Sequence, residues 1–340
     1  MNDPSSASNA SNSQSQDVQI GRDFRVDGTG HQVDFSQTHI ETQIIQHTSV
    51  EAVQSRPLIE VSPYKGLKKF EGSDRHRFFG REALVTNLLT YLATHHCLIL
   101  LGASGSGKSS LVRAGIIPQL AEEEGTDLID LTFTPDEDPF DSLYASLLAH
   151  FKQSEAKLAR QPHADTLIQV VSQLKEADTP WVIFVDQFEE LFTITQSQKR
   201  EAFIASLINL QRMIAQAQIN PRSLYLIMAM RADFLDQFAP YRELGQMTER
   251  YMRFITNMTR EDLQRAIANP ANLHGVAYQE GLLKEILNDL RDQPGELPLL
   301  QYTLDLLWKR ANLSDRLICC DAYWAIDGVQ GALRQHVTEI

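Results

Sequence analysis

The architecture of this chain can be predicted from residues 97–111, which read CLILLGASGSGKSSL. Residues 97–101 are an apolar run that predicts a buried strand, and the amphipathic residues 110–117 predict a helix. Between them, residues 102–109 match the G-x-x-x-x-G-K-[ST] pattern of a phosphate-binding loop, in the strand–loop–helix setting that this motif requires. The sequence therefore predicts a nucleotide-binding site.

The residue types of this loop suit the binding of phosphate. Its glycines allow a tight turn whose backbone N–H groups point at phosphate oxygens, and the following helix adds the positive end of its dipole. Lys108 supplies a point charge for the β- and γ-phosphates, and the hydroxyl of Ser109 is a ligand for Mg²⁺. The candidate nucleotide-binding residues of the loop are Gly102, Ala103, Ser104, Gly105, Ser106, Gly107, Lys108, Ser109 and Ser110.

A second part of the site is predicted where an apolar run at residues 180–185 ends. Asp186 follows this run directly and would hold Mg²⁺ together with Ser109. Glu189 and Glu190 are candidates to orient or deprotonate the attacking water. For each glutamate the alternative is that it merely caps the next segment.

Five strand candidates alternate with helices and cover residues 97–101, 128–133, 180–185, 223–230 and 251–255. This alternation predicts a doubly wound parallel α/β sheet that binds its ligand at the carboxyl ends of the strands. Arg231 follows the fourth strand, where it would reach the γ-phosphate. The alternative is a surface ion pair with Asp233 or Asp236.

The composition of the 340 residues is that of a globular protein, with 43% hydrophobic and 22% charged residues. The formal net charge of −13 argues against nucleic acid as the main partner, because a phosphate backbone needs a basic face. No apolar run reaches the length of a membrane span, and the N-terminus lacks the apolar region of a signal peptide. We therefore expect a cytoplasmic protein that does not bind membranes.

The predicted domain organisation has four parts. Residues 1–16 are almost entirely Ser, Asn, Ala and Gln, which predicts disorder because they cannot form a core. Residues 17–61 are a β-prone arm and a linker, and the arm is interpreted as a small β module, a self-assembling segment or a flexible arm. Residues 62–256 form a P-loop NTPase domain, and residues 257–340 form a small all-helical domain that begins with a helix capped at Thr259.

Several motifs, taken in order, resemble those of the novel STAND NTPase domain of bacterial signalling proteins, which are relatives of the NACHT and apoptosis-type ATPases. They are Phe78-Phe-Gly-Arg-Glu82, the phosphate-binding loop, Val185-Asp-Gln-Phe-Glu-Glu-Leu-Phe192, Met230-Arg-Ala-Asp-Phe234, Pro294-Gly-Glu-Leu-Pro-Leu-Leu-Gln301 and Gly328-Val-Gln-Gly-Ala-Leu333. The resemblance covers residues 62–340. It implies an ATP-dependent switch that is monomeric with ADP and oligomeric with ATP.

The resemblance also implies roles for individual residues. Gly80 and Arg81 would lie in the turn near adenine, and Pro298 would pack on the base. Arg231 would sense the γ-phosphate, and one of the two glutamates would serve hydrolysis. Gln187 stands next to Asp186 where the NACHT-like branch has an acid, so the resemblance does not decide between the glutamates.

Two further departures concern the helical part of the chain. The proline motif reads Gly-Glu-Leu-Pro, one residue longer than the Gly-x-Pro of better-known members. Members of the family usually continue into a winged-helix domain and then a repeat-built sensor, and neither is recognised within these 340 residues. We therefore expect the helical domain to be truncated before a winged helix. Autoinhibition is then either missing from this chain or supplied by a sensor or effector protein in trans.

The sequence supports two functions of different classes. The first is an ATP-binding and slowly hydrolysing signal-transduction switch that forms homo-oligomers, with ATP/ADP and Mg²⁺ as cofactors and adenine implied by the resemblance alone. The second is a scaffold in which residues 17–47 self-assemble and nucleotide is bound structurally. A transport ATPase is disfavoured, because no Leu-Ser-Gly-Gly-Gln-like signature lies between Gly102 and Asp186.

Overall fold

The computed structural model describes residues 49–124, 128–176, 178–216, 224–290 and 296–339. The disordered N-terminus and the β-prone arm predicted up to residue 48 lie outside these ranges, and so do Pro294 and Gly295 of the proline motif. Within the ranges, none of the helices has the length and apolar character needed to cross a membrane.

A five-stranded parallel sheet forms the centre of the structure. Its strands are β1 (Cys97–Gly102), β2 (Ile129–Phe133), β3 (Trp181–Val185), β4 (Leu224–Arg231) and β5 (Met252–Phe254), in the order β2-β3-β4-β1-β5. Every residue of β1 and β3 is buried, as expected of strands that are covered on both faces. The predicted doubly wound parallel sheet is therefore confirmed.

Helices pack on both faces of the sheet and continue beyond it. They are α1 (Val50–Gln54), α2 (Glu82–His95), α3 (108–123), α4 (Pro139–Leu147), α5 (Gln153–Ala156), α6 (Thr166–Leu174), α7 (Glu190–Thr193), α8 (Ser197–Ala215), α9 (Arg242–Tyr251), α10 (Arg260–Leu273), α11 (Leu282–Asp289), α12 (Glu296–Arg310), α13 (Cys320–Ala325) and α14 (Gly328–Glu339). Ile99 and Leu101 of β1 belong to one buried apolar cluster, whereas Leu98 and Leu100 belong to another. The alternation of strand side chains thus separates two cores, one for each face.

The strand order brings candidate site residues to one edge of the sheet. Gly102 at the end of β1 pairs in register with Arg231 at the end of β4. On the other side of β4, β3 delivers Asp186 as the first residue beyond its carboxyl end. Because all of these strands are parallel, the phosphate-binding loop, Asp186 and Arg231 share the edge where α/β folds bind ligands.

Residues 259–339 form a helical region whose buried apolar cluster is separate from those of the sheet and includes Trp308. α10 begins with the predicted cap, because the side chain of Thr259 accepts a hydrogen bond from the N–H of Asp262. Two short strands, β6 (Ala277–Tyr278) and β7 (Leu317–Ile318), pair in parallel within this region. The helical character is thus confirmed, but the region is not wholly helical. Two-residue strands satisfy the backbone groups of loops and are too short to show a periodic pattern.

Residues 49–61, which the sequence assigns to the end of the arm and its linker, lie along the helical region. The guanidinium of Arg56 donates to a carbonyl of α10 at 3.1 Å, and Trp308 Nε1 donates to the carbonyl of Glu60 at 2.8 Å. Tyr64, a few residues further on, is buried in the same core and donates its hydroxyl to a second carbonyl of α10 at 2.6 Å. This segment is therefore part of the packed structure.

Candidate nucleotide-binding site

The phosphate-binding loop connects β1 to α3 and has the backbone conformation that its glycines permit. Gly105 and Gly107 have φ values of +74° and +86°, in the left-handed region that favours glycine. The ammonium of Lys108 lies back over the loop, where it donates to the carbonyls of Gly102 at 3.0 Å and Ala103 at 2.8 Å. Burial lowers the pKa of this amine, and the nearby acidic groups oppose that effect. Lys108 is thus held within the loop by uncharged carbonyl acceptors, which charged phosphate oxygens can replace.

Ser109 and Asp186 meet at the centre of the site. The hydroxyl of Ser109 donates to Asp186 Oδ1 at 2.6 Å, and the same oxygen accepts the N–H of Gln187 at 3.0 Å. Asp186 is only 1% exposed. A hydroxyl and a carboxylate side by side supply the hard oxygen donors that Mg²⁺ prefers. These two residues fit Mg²⁺, which in such sites takes one or two protein ligands together with phosphates.

Among the residues that the structure describes, no cluster of three or more His, Cys, Asp and Glu side chains could hold a metal ion. A Mg²⁺ ion bound with nucleotide does not require one, because phosphate oxygens and water complete its coordination. The donor set is therefore consistent with a metal that arrives with a nucleotide.

The two candidate glutamates have different surroundings. Glu189 Oε2 accepts the backbone N–H of Arg231 at 3.2 Å, and Glu189 lines the central cavity. Glu190 instead accepts the side-chain amide of Gln187 at 2.9 Å and the N–H of Asp136 at 3.2 Å. Burial raises the pKa of Glu190. Glu189 therefore faces the central cavity, whereas Glu190 holds two loops together.

The side chain of Gln187 joins Glu190 to Lys69. It has a φ of +51°, which is unusual for a residue that is not glycine, and such strain is concentrated at functional sites. Its amide nitrogen donates to Glu190, while its Oε1 accepts the ammonium of Lys69 at 3.0 Å. Lys69 also donates to Asp186 Oδ2 at 2.9 Å.

Arg231 lies at the end of β4 and faces the cavity with part of its surface. Its guanidinium pairs with Asp233, with Nε at 3.0 Å and Nη2 at 2.5 Å from the carboxylate oxygens, and lies 5.2 Å from the ring centre of Phe234. The pair is solvent-exposed, and exposed ion pairs contribute little free energy. The alternative of an ion pair with Asp233 is thus what the structure contains, and it leaves Arg231 free to turn towards a phosphate.

Gly80 and Arg81 join the sheet region to the helical region. Gly80 has a φ of +84°, and a Cβ atom added there would lie 2.3 Å from the carbonyl oxygen of Asp262. Arg81 is 8% exposed and donates to the carbonyls of Thr256 at 2.8 Å and Ser106 at 3.3 Å. This turn consequently fixes the phosphate-binding loop against the start of α10.

A cavity of about 410 Å³ lies between the loop and the helical region. Of the predicted residues it is lined by Arg81, Ser104, Gly105, Gly107, Lys108, Ser109, Ser110, Asp186, Glu189, Arg231 and Pro298. Gly80, Gly102, Ala103, Ser106 and Glu190 support the site without being part of the lining. The lining also includes the apolar residues Phe78, Phe79, Met258 and Leu297 beside Pro298. The size of the cavity and its combination of polar and apolar lining residues suit a nucleotide.

The segment of residues 64–70 was not predicted to belong to the site. Lys69 contacts Asp186, and the N–H of Phe70 donates to Ser110 Oγ at 3.1 Å. The only signal for this in the sequence is the group of three lysines, at positions 65, 68 and 69, ahead of the motif at residues 78–82.

Comparison with solved structures finds distant similarities. The Aeropyrum pernix ORC2 protein, solved as ADPNP–ADP complexes, is 16% identical with a TM-score of 0.46, over 76% of this chain and 66% of that chain. A Walker-type ATPase of Pyrococcus abyssi is 13% identical with a TM-score of 0.48, over 78% and 73% of the two chains. PCH-2 of *C. elegans* is 12% identical with a TM-score of 0.47, over 78% and 72%. The present chain thus spans just under two thirds of the ORC2 chain.

No curated protein matches this sequence. The family assignment depends instead on a sequence profile, that of the family described as Novel STAND NTPase 1, which matches residues 63–340. The matched range is nearly the same as residues 62–340, over which the motifs resemble STAND NTPases. It includes both the sheet and the helical region. The chain belongs to the Novel STAND NTPase 1 family.

Proposed function

We propose that this protein is an ATP-binding and slowly hydrolysing signal-transduction switch whose oligomeric state follows the bound nucleotide. The contact of 2.6 Å between Ser109 and Asp186, beside a glycine-rich phosphate-binding loop, is the observation that carries this proposal. It joins the two residues that hold Mg²⁺ in P-loop NTPases. Membership of the Novel STAND NTPase 1 family supports the same class of activity.

Each residue of the site has a defined part in the proposed reaction. Lys108 exchanges the carbonyls of Gly102 and Ala103 for oxygens of the β- and γ-phosphates. Ser109 and Asp186 hold Mg²⁺, which when bound neutralises charge on the phosphates. Glu189, the glutamate that lines the cavity, orients the attacking water and accepts its proton. Arg231 would leave its exposed ion pair with Asp233 to contact the γ-phosphate.

The position of the cavity supports a switch as well as an ATPase. Lys108 and Ser109 come from the sheet region, whereas Leu297 and Pro298 come from α12 of the helical region. A nucleotide in the cavity therefore contacts both regions, and a change at its γ-phosphate alters the contacts of each differently. Adenine is the proposed base, and Pro298 is proposed to pack on it.

The proposal includes partners and location. A homo-oligomer in the ATP state and a sensor or effector protein as a partner are what the family resemblance implies, and the cytoplasmic location is proposed from the sequence. We do not propose a role in nucleic acid binding, because the net charge of −13 disfavours it.

Removal of the Lys108 ammonium tests the proposal. Lys108→Ala is expected to weaken ATP binding by about 100-fold, the equivalent of two charge-assisted hydrogen bonds. Lys284→Ala, at an exposed position of α11, removes the same charge away from the cavity and is expected to retain the wild-type affinity. Titration calorimetry with ATP and Mg²⁺ measures both. Equal affinities of the two variants would contradict nucleotide binding by the loop.

The switch is tested separately by the mass of the full chain. We expect a monomer with ADP and a larger species with a non-hydrolysable ATP analogue, as measured by light scattering after size-exclusion chromatography. A protein that binds both nucleotides without any change of mass would be an ATPase of this family but not a switch that acts by assembly.

A further inference from the structure

Lys69 occupies one side of the carboxylate that is proposed to hold Mg²⁺. Its ammonium lies 2.9 Å from Asp186 Oδ2, and the other oxygen of that carboxylate accepts the hydroxyl of Ser109. Because Asp186 is 1% exposed, its charge must be compensated by neighbouring groups. Lys69 is in direct contact with the carboxylate and provides this compensation.

A second basic group near Asp186 is less able to move. Arg113 Nη2 lies 3.5 Å from Asp186 Oδ2, and its Nη1 is bound to Glu71 at 3.1 Å. The Arg113 side chain is 23% exposed and belongs to α3, whereas that of Lys69 is 41% exposed and belongs to a loop. Lys69 is therefore the cation that can leave Asp186.

Mg²⁺ at Ser109 and Asp186 would weaken the contact between Lys69 and the same carboxylate. The divalent ion would repel the ammonium, and because the Lys69 side chain is 41% exposed, the ammonium can move into water. We propose that Lys69 competes with Mg²⁺ for Asp186, so that binding of the metal–nucleotide complex expels the Lys69 ammonium and weakens the attachment of the segment of residues 64–70, which Phe70 still joins to Ser110. This inference rests on the proposed function, since it requires that Mg²⁺ bind with a nucleotide.

The anchoring of this segment determines what its weaker attachment can affect. The hydroxyl of Tyr64 donates to the carbonyl of Ile267 at 2.6 Å, and the N–H of Lys65 donates to Gln301 Oε1 at 3.2 Å. These two contacts lie in the helical region, and Lys69 at the other end of the segment contacts the sheet region. Lys69 is thus a positioning residue that makes the helical region sensitive to the metal at Asp186.

The competition is measured by the effect of Mg²⁺ on ADP affinity in the full chain. The dissociation constant for ADP is determined with Mg²⁺ and again with EDTA, and the ratio of the two is compared between proteins. Lys69→Met removes the competitor, so the gain in affinity from Mg²⁺ is expected to rise about tenfold, the equivalent of one charge-assisted hydrogen bond at a half-exposed site. Lys284→Met removes the same charge from an exposed residue of α11 that does not line the cavity, and it is expected to leave the ratio unchanged.

The results separate this inference from the proposed function. An unchanged or smaller ratio in Lys69→Met, with ADP still bound, would overturn the competition and leave nucleotide binding intact. Failure of the wild-type protein to bind ADP at all would overturn both. Lys69→Arg retains a cation at the same position, and a ratio raised in this variant as much as in Lys69→Met would also contradict the proposal.

Hydrogen exchange tests the weaker attachment of the segment without measuring activity. Backbone amides of residues 65–70 are expected to exchange faster with ADP and Mg²⁺ than with ADP and EDTA in the wild-type protein. In Lys69→Met the difference should be absent, because the contact that Mg²⁺ breaks is already lost. Equal exchange under the two conditions in the wild type would show that Lys69 does not leave Asp186.

Discussion

The turn at Gly80 offers a quantitative test of how the sheet and helical regions are joined. Gly80→Ala has two costs. An L-residue at a φ of +84° costs about 1–2 kcal/mol. The new Cβ would also lie 2.3 Å from the Asp262 carbonyl oxygen and 2.5 Å from Met258 Cε, and overpacking of this kind costs about 1–3 kcal/mol more. We therefore expect the free energy of unfolding to fall by about 2–5 kcal/mol.

A matched variant isolates the second cost. Gly281 has a φ of +86°, and a Cβ added there would meet no atom within 4 Å. Gly281→Ala should therefore lose only about 1–2 kcal/mol, because the backbone penalty is the same and the overlap is missing. Urea denaturation is followed by the fluorescence of Trp181, buried in the sheet, and of Trp308, buried in the helical region.

The comparison of the two glycines can refute the described packing. If Gly80→Ala lowers the free energy of unfolding no more than Gly281→Ala does, then the start of α10 does not pack against the turn at Gly80. That turn would then not hold the site closed. If the loss is larger as expected, the same variant should also bind nucleotide more weakly, because Gly80 precedes Arg81, which donates to the phosphate-binding loop.

The remaining predictions concern catalysis and stability. Glu189→Gln is expected to slow ATP hydrolysis by about 100-fold or more while nucleotide still binds, as measured by phosphate release. Glu190→Gln should retain hydrolysis and lose about 1 kcal/mol in the free energy of unfolding, as measured by urea denaturation. The opposite pattern would show that Glu190 serves hydrolysis and Glu189 serves stability. Tyr64→Phe should cost about 1–3 kcal/mol in urea denaturation, because it leaves a buried carbonyl and a buried hydroxyl without their partner, and a cost near zero would contradict that network. Burial raises the pKa of Asp74, but hydrogen bonds from a backbone N–H and two basic side chains outweigh it and lower the pKa to about 2. The depressed pKa stabilises the folded state above the unfolded value of 3.8, and this contribution, about 2 kcal/mol, is lost as the pH falls through that value towards 2. The difference in stability between the wild type and Asp74→Asn should therefore shrink between pH 5 and pH 2, and a constant difference would show that the pKa is not depressed.

The strands and the main elements of the site could be predicted because their signals are local. Apolar runs ending in Gly102, Asp186 and Arg231 mark the strands, and parallel strands must present their carboxyl ends at one edge. The predicted juxtaposition of Ser109 with Asp186 needs only this rule and the motif. The cap at Thr259 is equally local, since its partner is three residues away.

Other features depend on contacts that no local pattern encodes. Lys69 and Asp186 are 117 residues apart, and a lysine in a loop has no periodicity to mark its partner. Glu189 and Glu190 have the same chemistry at adjacent positions, so the conformation of the backbone around Gln187 decides which one faces the cavity. The pairing of β6 with β7 brings together residues 277 and 317, each in a strand of two residues.

The packing of residues 49–64 on the helical region has a consequence for synthesis of the chain. Tyr64 and its acceptor Ile267 are separated by 203 residues, so this tyrosine leaves the ribosome about 10–40 s before its partner is made. During that time the sheet can fold while residues 49–64 still lack the helical region on which they pack. The N-terminal segment completes the core of the helical region, which is synthesised last. A nascent chain whose translation stops between β5 and α10 would therefore expose the apolar side chains of this segment, and chaperones could bind them.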